Sequence, residues 1–442
     1  LGQTIIMCLG WIFVAKANDF STPDFNKDIA PLIAKRCLEC HNERDVKGDV
    51  NLTTHEGFAV GTDEGRLLLN LVNKGKMPPE IKGLTQKLPD NEIRTFNAWI
   101  ESGAAWPKER KLDLYETTSD VRAGRDWWSL QPVIRPKIDR SAKHPVDIFI
   151  QTKLKKKSLT SAKKTTRQVL ARRAFFDLTG LPPSPVELER FLSDPSPDAW
   201  HQLIDRLLAS PRYGERWSRH WLDLVRFAET DGYERDKLKP NIWRYRDWVI
   251  NALNNDMPYN RFVLEQLAGD EVANRTEQSV IATGMIRAGT WNDEPNDPAD
   301  YLYTRLEDMV HTTTSAFLGL TVKCARCHDH KFDPILQSDY YRIASFFWPG
   351  PIAQSNQGGP TKEQLGFDVY GWTDLSAKPK PIHLLHQGER HKPGPEITPG
   401  FLSAVTALDK PLAPPPPESK TTHRRLQFAH WIAPKDKPLT AR

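Results

Sequence analysis

Apolar residues recur at helical spacing through most of the chain. In "DFNKDIAPLIAKRCLECH", Phe25, Ile29, Leu32 and Ile33 share one face of a helix that leads into a pair of cysteines. In "PDNEIRTFNAWIESGAAWP", Ile93, Phe96, Trp99 and Ile100 do the same, with Asp90 placed as N-cap and Gly103 as the stop. "RQVLARRAFFDLTGL" and "DAWHQLIDRLLAS" continue the pattern. "PPSPVELERFL" predicts a capped start, with Ser184 at the cap, Pro185 first in the helix and Glu187 closing a capping box. "ERWSRHWLDLVRFAETDGYERD" sets Trp217, Trp221, Leu224 and Phe227 on one side, and "DMVHTTTSAFLGLTVKCARCHDH" reads as a helix running into a second cysteine pair. Beyond residue 349 the apolar runs are short and broken by Pro and Gly, which suggests linkers and a few extended strands. The expectation is a mainly α protein: a small domain over 18–110, a larger helical domain over 111–349, and a Pro/Gly-rich, partly extended segment over 350–442 that opens a further domain.

Length supports more than one core, since 442 residues exceed a single ordinary domain. The net charge of +5 is mild. Without a basic stripe interleaved with aromatics, nucleic acid is not an expected partner. The one dense basic run, "KLKKK" at 153–157, reads as the solvated face of a helix. Residues 4–14 are apolar and uncharged, and Ala15-Lys16-Ala17 offers small residues where a signal peptidase cuts. Residues 1–17 therefore read as a signal peptide that lacks its initiating Met and basic region. The run is too short for a spanning helix, so the mature chain is expected to have no integral membrane span. The chain reads as a fragment of a longer protein delivered to the periplasm or beyond.

The cysteines change the picture most. Cys8 falls in the presumed signal. The other four form "CLECH" at 37–41 and "CARCH" at 324–328. C-x-x-C-H is the attachment motif of c-type haem. Its spacing lets two thiols reach the two vinyl groups of one haem while the histidine reaches the iron. A chain of this composition would match it by chance roughly 0.002 times. At the first motif, Cys37 and Cys40 are the candidate anchors and His41 the proximal ligand. "NLVNKGKMPP" offers Met77 as the axial ligand on the far side, a methionine that could otherwise simply be core. Helix, motif, methionine loop and closing helix is the plan of a class I cytochrome c. A zinc knuckle is the weaker reading, because no second ligand pair lies nearby.

The second motif leaves more open. Cys324, Cys327 and His328 could hold a second haem. Alternatively, Cys324, Cys327 and His328 or His330, with His311 or Asp333, could bind zinc, or the cysteines could be a reactive dithiol. His330 is a candidate metal ligand, or with Asp333 a group that orients the ligand or a propionate. A sixth ligand for this haem could come from His311, Met309, His220 or Met285. The carboxylates of "ETDGYERD", Glu229, Asp231, Glu234 and Asp236, could line a substrate or cation site. They could equally be turn formers and ion-pair partners of Arg244 and Arg246, and "WNDEPNDPADY" at 291–301 reads the same two ways. Neither a phosphate-binding Gly-rich loop nor G-x-S-x-G occurs.

Together "DIAPLIAKRCLECHN", "GKMPP", "WWSLQPVIRP", "LARRAFFDLTGLPPSPVELERFL", "DGYERDKLKPNIWRYRDWVI", "CARCHDHKFDPI" and "RRLQFAHWIAPKDKPLTAR" resemble the planctomycete-type multidomain cytochrome c proteins over nearly the whole chain. The resemblance implies a small cytochrome c domain, a helical domain of uncharacterised function, and a further uncharacterised domain that "DKPLTAR" begins and that this chain would contact. It implies export and electron transfer with a redox partner protein more firmly than any reaction. The expected function is thus an exported c-type cytochrome with haem c at both motifs. The alternatives are a dehydrogenase or peroxidase acting at the second haem, or zinc in the middle domain.

Overall fold

The structure, a computed structural model, describes residues 22–43, 45–63, 65–80, 86–138, 144–354, 359–405, 410–434 and 437–440. The expected signal peptide and Cys8 lie outside them. The fold is mainly helical and divides after Trp127 into two compact units.

The first unit starts at Asp24, whose carboxylate accepts from Lys27 N at 2.9 Å and caps a π-helical turn, Phe25–Ile29. The turn runs into α1 (Ala30–Arg36). Next come α2 (His55–Thr62), α3 (Arg66–Asn73) and α4 (Asp90–Glu101). The apolar face read from the sequence is the buried one: Phe25, Ile29, Leu32 and Ile33 meet Phe58, Leu68, Val72, Ile93, Phe96 and Trp99 in one core. Trp99 is its centre, with the rings of Phe58, Phe96 and Phe25 at 5.1, 5.6 and 5.9 Å. Arg36 grips Glu92 through two bonds of 2.9 Å and ties α1 to α4. Asp90 is the first helical residue of α4 rather than its cap, because Pro89 holds the extended cap position.

In the second unit, α5 (Pro145–Lys156) is followed by α6 (Arg167–Thr179), α7 (Pro185–Ser193) and α8 (Ala199–Leu208). The last three enclose a small core of Phe175, Phe191, Leu203 and Leu207. Ser184 and Glu187 form the expected capping box. Then α9 (Pro211–Leu224) packs on α10 (Trp243–Asn254). A Cβ at Gly214 would stand 2.5 Å from the carbonyl oxygen of Ile250, so that approach needs glycine. The main core is built by α10, α11 (Tyr259–Ala268), α12 (Glu277–Ala282), α13 (Gly284–Arg287), α14 (Pro298–Leu318) and α15 (Gln337–Ala344). The short α16 (Lys362–Leu365) follows, then an antiparallel pair, β1 (His383–Leu385) and β2 (Pro393–Glu396), and α17 (Arg424–Ile432). Tyr370, Trp372, Leu385, Phe401, Phe428 and Trp431, all beyond residue 349, sit in that same core.

Asp297 caps α14 by accepting from Ala299 N at 2.9 Å and Asp300 N at 3.1 Å. The helix does not continue into the second cysteine pair. It ends at Leu318, because Gly319 turns left-handed at φ 66° and closes its last carbonyls. A separate 3₁₀ turn, Val322–Arg326, carries Cys324, and Cys327 caps its end.

Candidate functional site

In the first unit α1 ends at Arg36, and the chain folds at once into a turn in which Cys40 N and His41 N both donate to Cys37 O, at 3.2 and 3.1 Å. That turn sets Cys40 and His41 on one cavity, whereas Cys37 packs against the core and does not line it. Buried Asn42 staples the following loop: its Nδ2 donates to Leu38 O at 2.7 Å, and its Oδ1 accepts from Asp45 N at 3.1 Å. His41 Nδ1 lies 3.3 Å from Val50 O. With Nδ1–H given to that carbonyl, Nε2 keeps its lone pair for a metal.

Cys40, His41, Leu52, Leu68, Leu71 and Met77 all line one cavity of about 260 Å³. The methionine loop is fastened at the end of α3, where Lys76 N and Met77 N donate to Leu71 O at 2.8 and 3.3 Å. The cavity thus holds a nitrogen donor and a thioether donor among aliphatic side chains, with a cysteine at its edge.

Cys37 packs against the core beside it. It keeps partial solvent contact, yet apolar surroundings desolvate the thiol and push it up to about 12, against the pull of Arg36. A zinc ligand must be a thiolate, so this setting opposes zinc. A neutral thioether carries no charge to bury, so the same setting suits covalent attachment to a haem. The residues present fit that group.

The second motif is built differently. Val322 and Ala325 are buried and pin the 3₁₀ turn, while Cys324, Cys327 and His328 are exposed. His328 Nδ1 lies 2.6 Å from Asp329 O, which again leaves Nε2 free to act as a ligand. The surroundings are firmly held. Arg326 Nη1 donates to Glu307 at 2.8 Å, and Gln337 Nε2 donates to Arg326 O and Leu385 O, both at 2.9 Å. Gly388, left-handed at φ 75°, lies so close that a Cβ there would be 2.7 Å from Cys327 Sγ. The donor set matches that of the first motif, but it stands at the surface.

His330 is buried beneath this turn, and both ring nitrogens are engaged. Nδ1 accepts from Phe332 N at 3.2 Å and Asp333 N at 2.8 Å, and Nε2 faces Thr321 Oγ1 at 3.1 Å. Burial holds its pKa below the usual histidine value, against the pull of Asp333. A metal at His330 would have to displace one of these bonds. Among the described residues no three His, Cys, Asp or Glu side chains converge as a metal-holding group. Of the four candidate sixth ligands, Met285 and Met309 are buried in the apolar core. His220 is exposed, and His311 Nδ1 meets Ser315 Oγ at 3.0 Å.

The two acidic loops come together, which the sequence did not announce. Trp291 N donates to Asp231 O at 2.9 Å, and a cavity of about 190 Å³ opens between the loops. Glu229 pairs with Arg246 at 2.9 Å, as one of the two readings had it, whereas Arg244 turns to Glu277. Beneath the loops Lys239 is buried, donates to Ala288 O at 2.7 Å, and is lowered by that burial to about 8.

Residues 145–350 match the model of the PSCyt2 family, described as a protein of unknown function (DUF1549). That stretch of the helical unit is thus similar to a planctomycete cytochrome-associated domain. No curated protein and no solved structure matches the chain.

Proposed function

We propose that this chain is an exported c-type cytochrome, with covalent haem at Cys37 and Cys40 and a second haem at Cys324 and Cys327, and that it exchanges electrons with a redox partner protein. One observation carries the reading: His41 and Met77, distant in sequence, line a single apolar cavity beside Cys40. Haem c supplies reversible one-electron chemistry at its iron, and His/Met ligation raises its potential. The chain's own residues would hold and tune it. Val50 O fixes the His41 tautomer and ring orientation, Met77 offers a soft sulfur, and Leu52, Leu68 and Leu71 exclude water. The N-terminal apolar run and its small-residue cleavage site support export.

The exposure of Cys324, Cys327 and His328 favours a second reading for the middle domain. A group held there would be open to small molecules from solution, as a dehydrogenase or peroxidase requires. His330 and Asp333 would then position the turn rather than bind a metal. Zinc at this motif is the remaining alternative. A pyridine haemochrome assay of the matured protein decides the main point. Two haems per chain are expected; one haem with bound zinc would restrict the proposal to the first unit, and no haem would overturn it.

A further inference from the structure

The aromatic face of α9 is left open. Tyr213, Trp217, His220, Trp221 and Leu224 recur at helical spacing and share one side of that helix. A helix in a globular unit normally buries its apolar stripe. In α9 the buried residues are instead Gly214 and Ser218, with Gly214 against α10, while Trp217 is 42 % exposed and Leu224 59 %. The open face lines a cavity of about 290 Å³, whose other walls come from the end of α10, α11 and the turn between them. Tyr259 and Phe262 join Tyr213, Trp217 and Trp221 around it. The rings meet at steep angles: Trp221 stands at 68° to Phe262 with centroids 4.9 Å apart, and His220 at 63° to Trp217 at 5.5 Å. The Trp221 indole is fixed, because its Nε1 donates to Gln266 Oε1 at 2.8 Å and to Tyr245 Oη at 3.1 Å, and both partners are fully buried. The charge of the cavity is one-sided. Asp256, in the turn after α10, is the one carboxylate that lines it, and no lysine or arginine does. Among the described residues nothing forms an ion pair or hydrogen bond with that carboxylate.

We propose that this cavity binds a methylated ammonium ion, with the cation against the indole and phenol rings and Asp256 supplying the opposite charge. The face of an aromatic ring is the negative side of its quadrupole, so rings and carboxylate select the same sign of ligand. An anion would meet that sign as repulsion. A bare metal ion would need several oxygen ligands, and the lining is mostly carbon. A methylated ammonium carries its charge on an apolar surface, which is what a box of rings with one carboxylate matches. The volume is that of a small-molecule pocket. None of these residues belongs to either C-x-x-C-H motif, so the proposal stands apart from the haem reading.

Isothermal titration of the full chain with choline, and with its uncharged carbon isostere dimethylbutanol, tests this. Choline should bind roughly tenfold or more tightly than the alcohol. Asp256→Asn should weaken choline about tenfold and leave the alcohol unchanged, and Trp217→Ala should weaken choline by a similar factor. Both side chains are exposed, so both variants should keep the wild-type circular dichroism. Failure of the wild type to bind choline would overturn the proposal. So would equal affinity for the alcohol, which marks a plain apolar pocket, or choline binding that survives either substitution.

Discussion

The imidazole of His41 has two nitrogens, and the carbonyl of Val50 engages one of them. With Nδ1 engaged there, Nε2 is the nitrogen left for a ligand, and the residue lines the cavity. Met77 supplies the second donor to the same cavity. Met77→Ala should therefore abolish the weak thioether-to-iron band at the red end of the oxidised spectrum and lower the midpoint potential. An unchanged band in the variant would place the sulfur elsewhere. The cysteines and histidines of both motifs stand out in the sequence, because C-x-x-C-H is a spacing within one turn. The partner of His41 does not, since Val50 reaches it only through the bridge between His41 and Val46 and the loop that follows. The engagement of both nitrogens of His330 was hidden for the same reason: Thr321, Phe332 and Asp333 meet it only after the chain has turned.

Helix existence was legible from the 3.6-residue period, and helix ends less so. Gly319 ends α14 before the second motif, although the apolar pattern runs on through Leu320 and Val322. Pairing across elements left no trace in the pattern. Arg425 of α17 is fully buried with three carboxylates: Asp270 at 2.7 Å, and Glu271 and Asp374 each at 3.2 Å. One cation cannot balance three buried anions. Burial, with Asp270 and Asp374 beside it, pushes the Glu271 carboxyl up to about 8 against the pull of Arg425. The folded state thus keeps a proton that an unfolded carboxyl releases near its ordinary value of 4.5. This stabilisation is complete below that ordinary value and is lost as pH rises through about 8. The melting temperature of the helical unit should fall across this window, by the equivalent of a few kcal/mol at most. Glu271→Gln, which keeps the shape and removes the charge, should flatten the fall and exceed wild type at alkaline pH. A thermal melt series in which wild type and variant share one slope would refute the assignment. At a larger step, Trp99→Ala should cost the first unit about 3–5 kcal/mol in a denaturant titration, because its ring touches Phe25, Phe58 and Phe96.

The whole molecule is two helical units, each with one C-x-x-C-H turn, and the turns are set in unlike surroundings. In the first the histidine faces an apolar cavity; in the second it faces solvent. The mainly α class was legible because every long periodic segment is a helix. The share of the main core contributed after residue 349 was not. Tyr370, Trp372 and Phe401 lie among glycines and prolines and follow neither period, so only the folded chain gathers them. The central claim is covalent haem at both motifs, and intact mass after maturation in a strain that attaches c-type haem tests it most directly. The wild-type chain should carry the mass of two haems. Cys37→Ala with Cys40→Ala should remove one, and Cys324→Ala with Cys327→Ala should remove the other. A wild-type mass short of two haems, or a haem increment left unchanged by either pair of substitutions, would contradict the account.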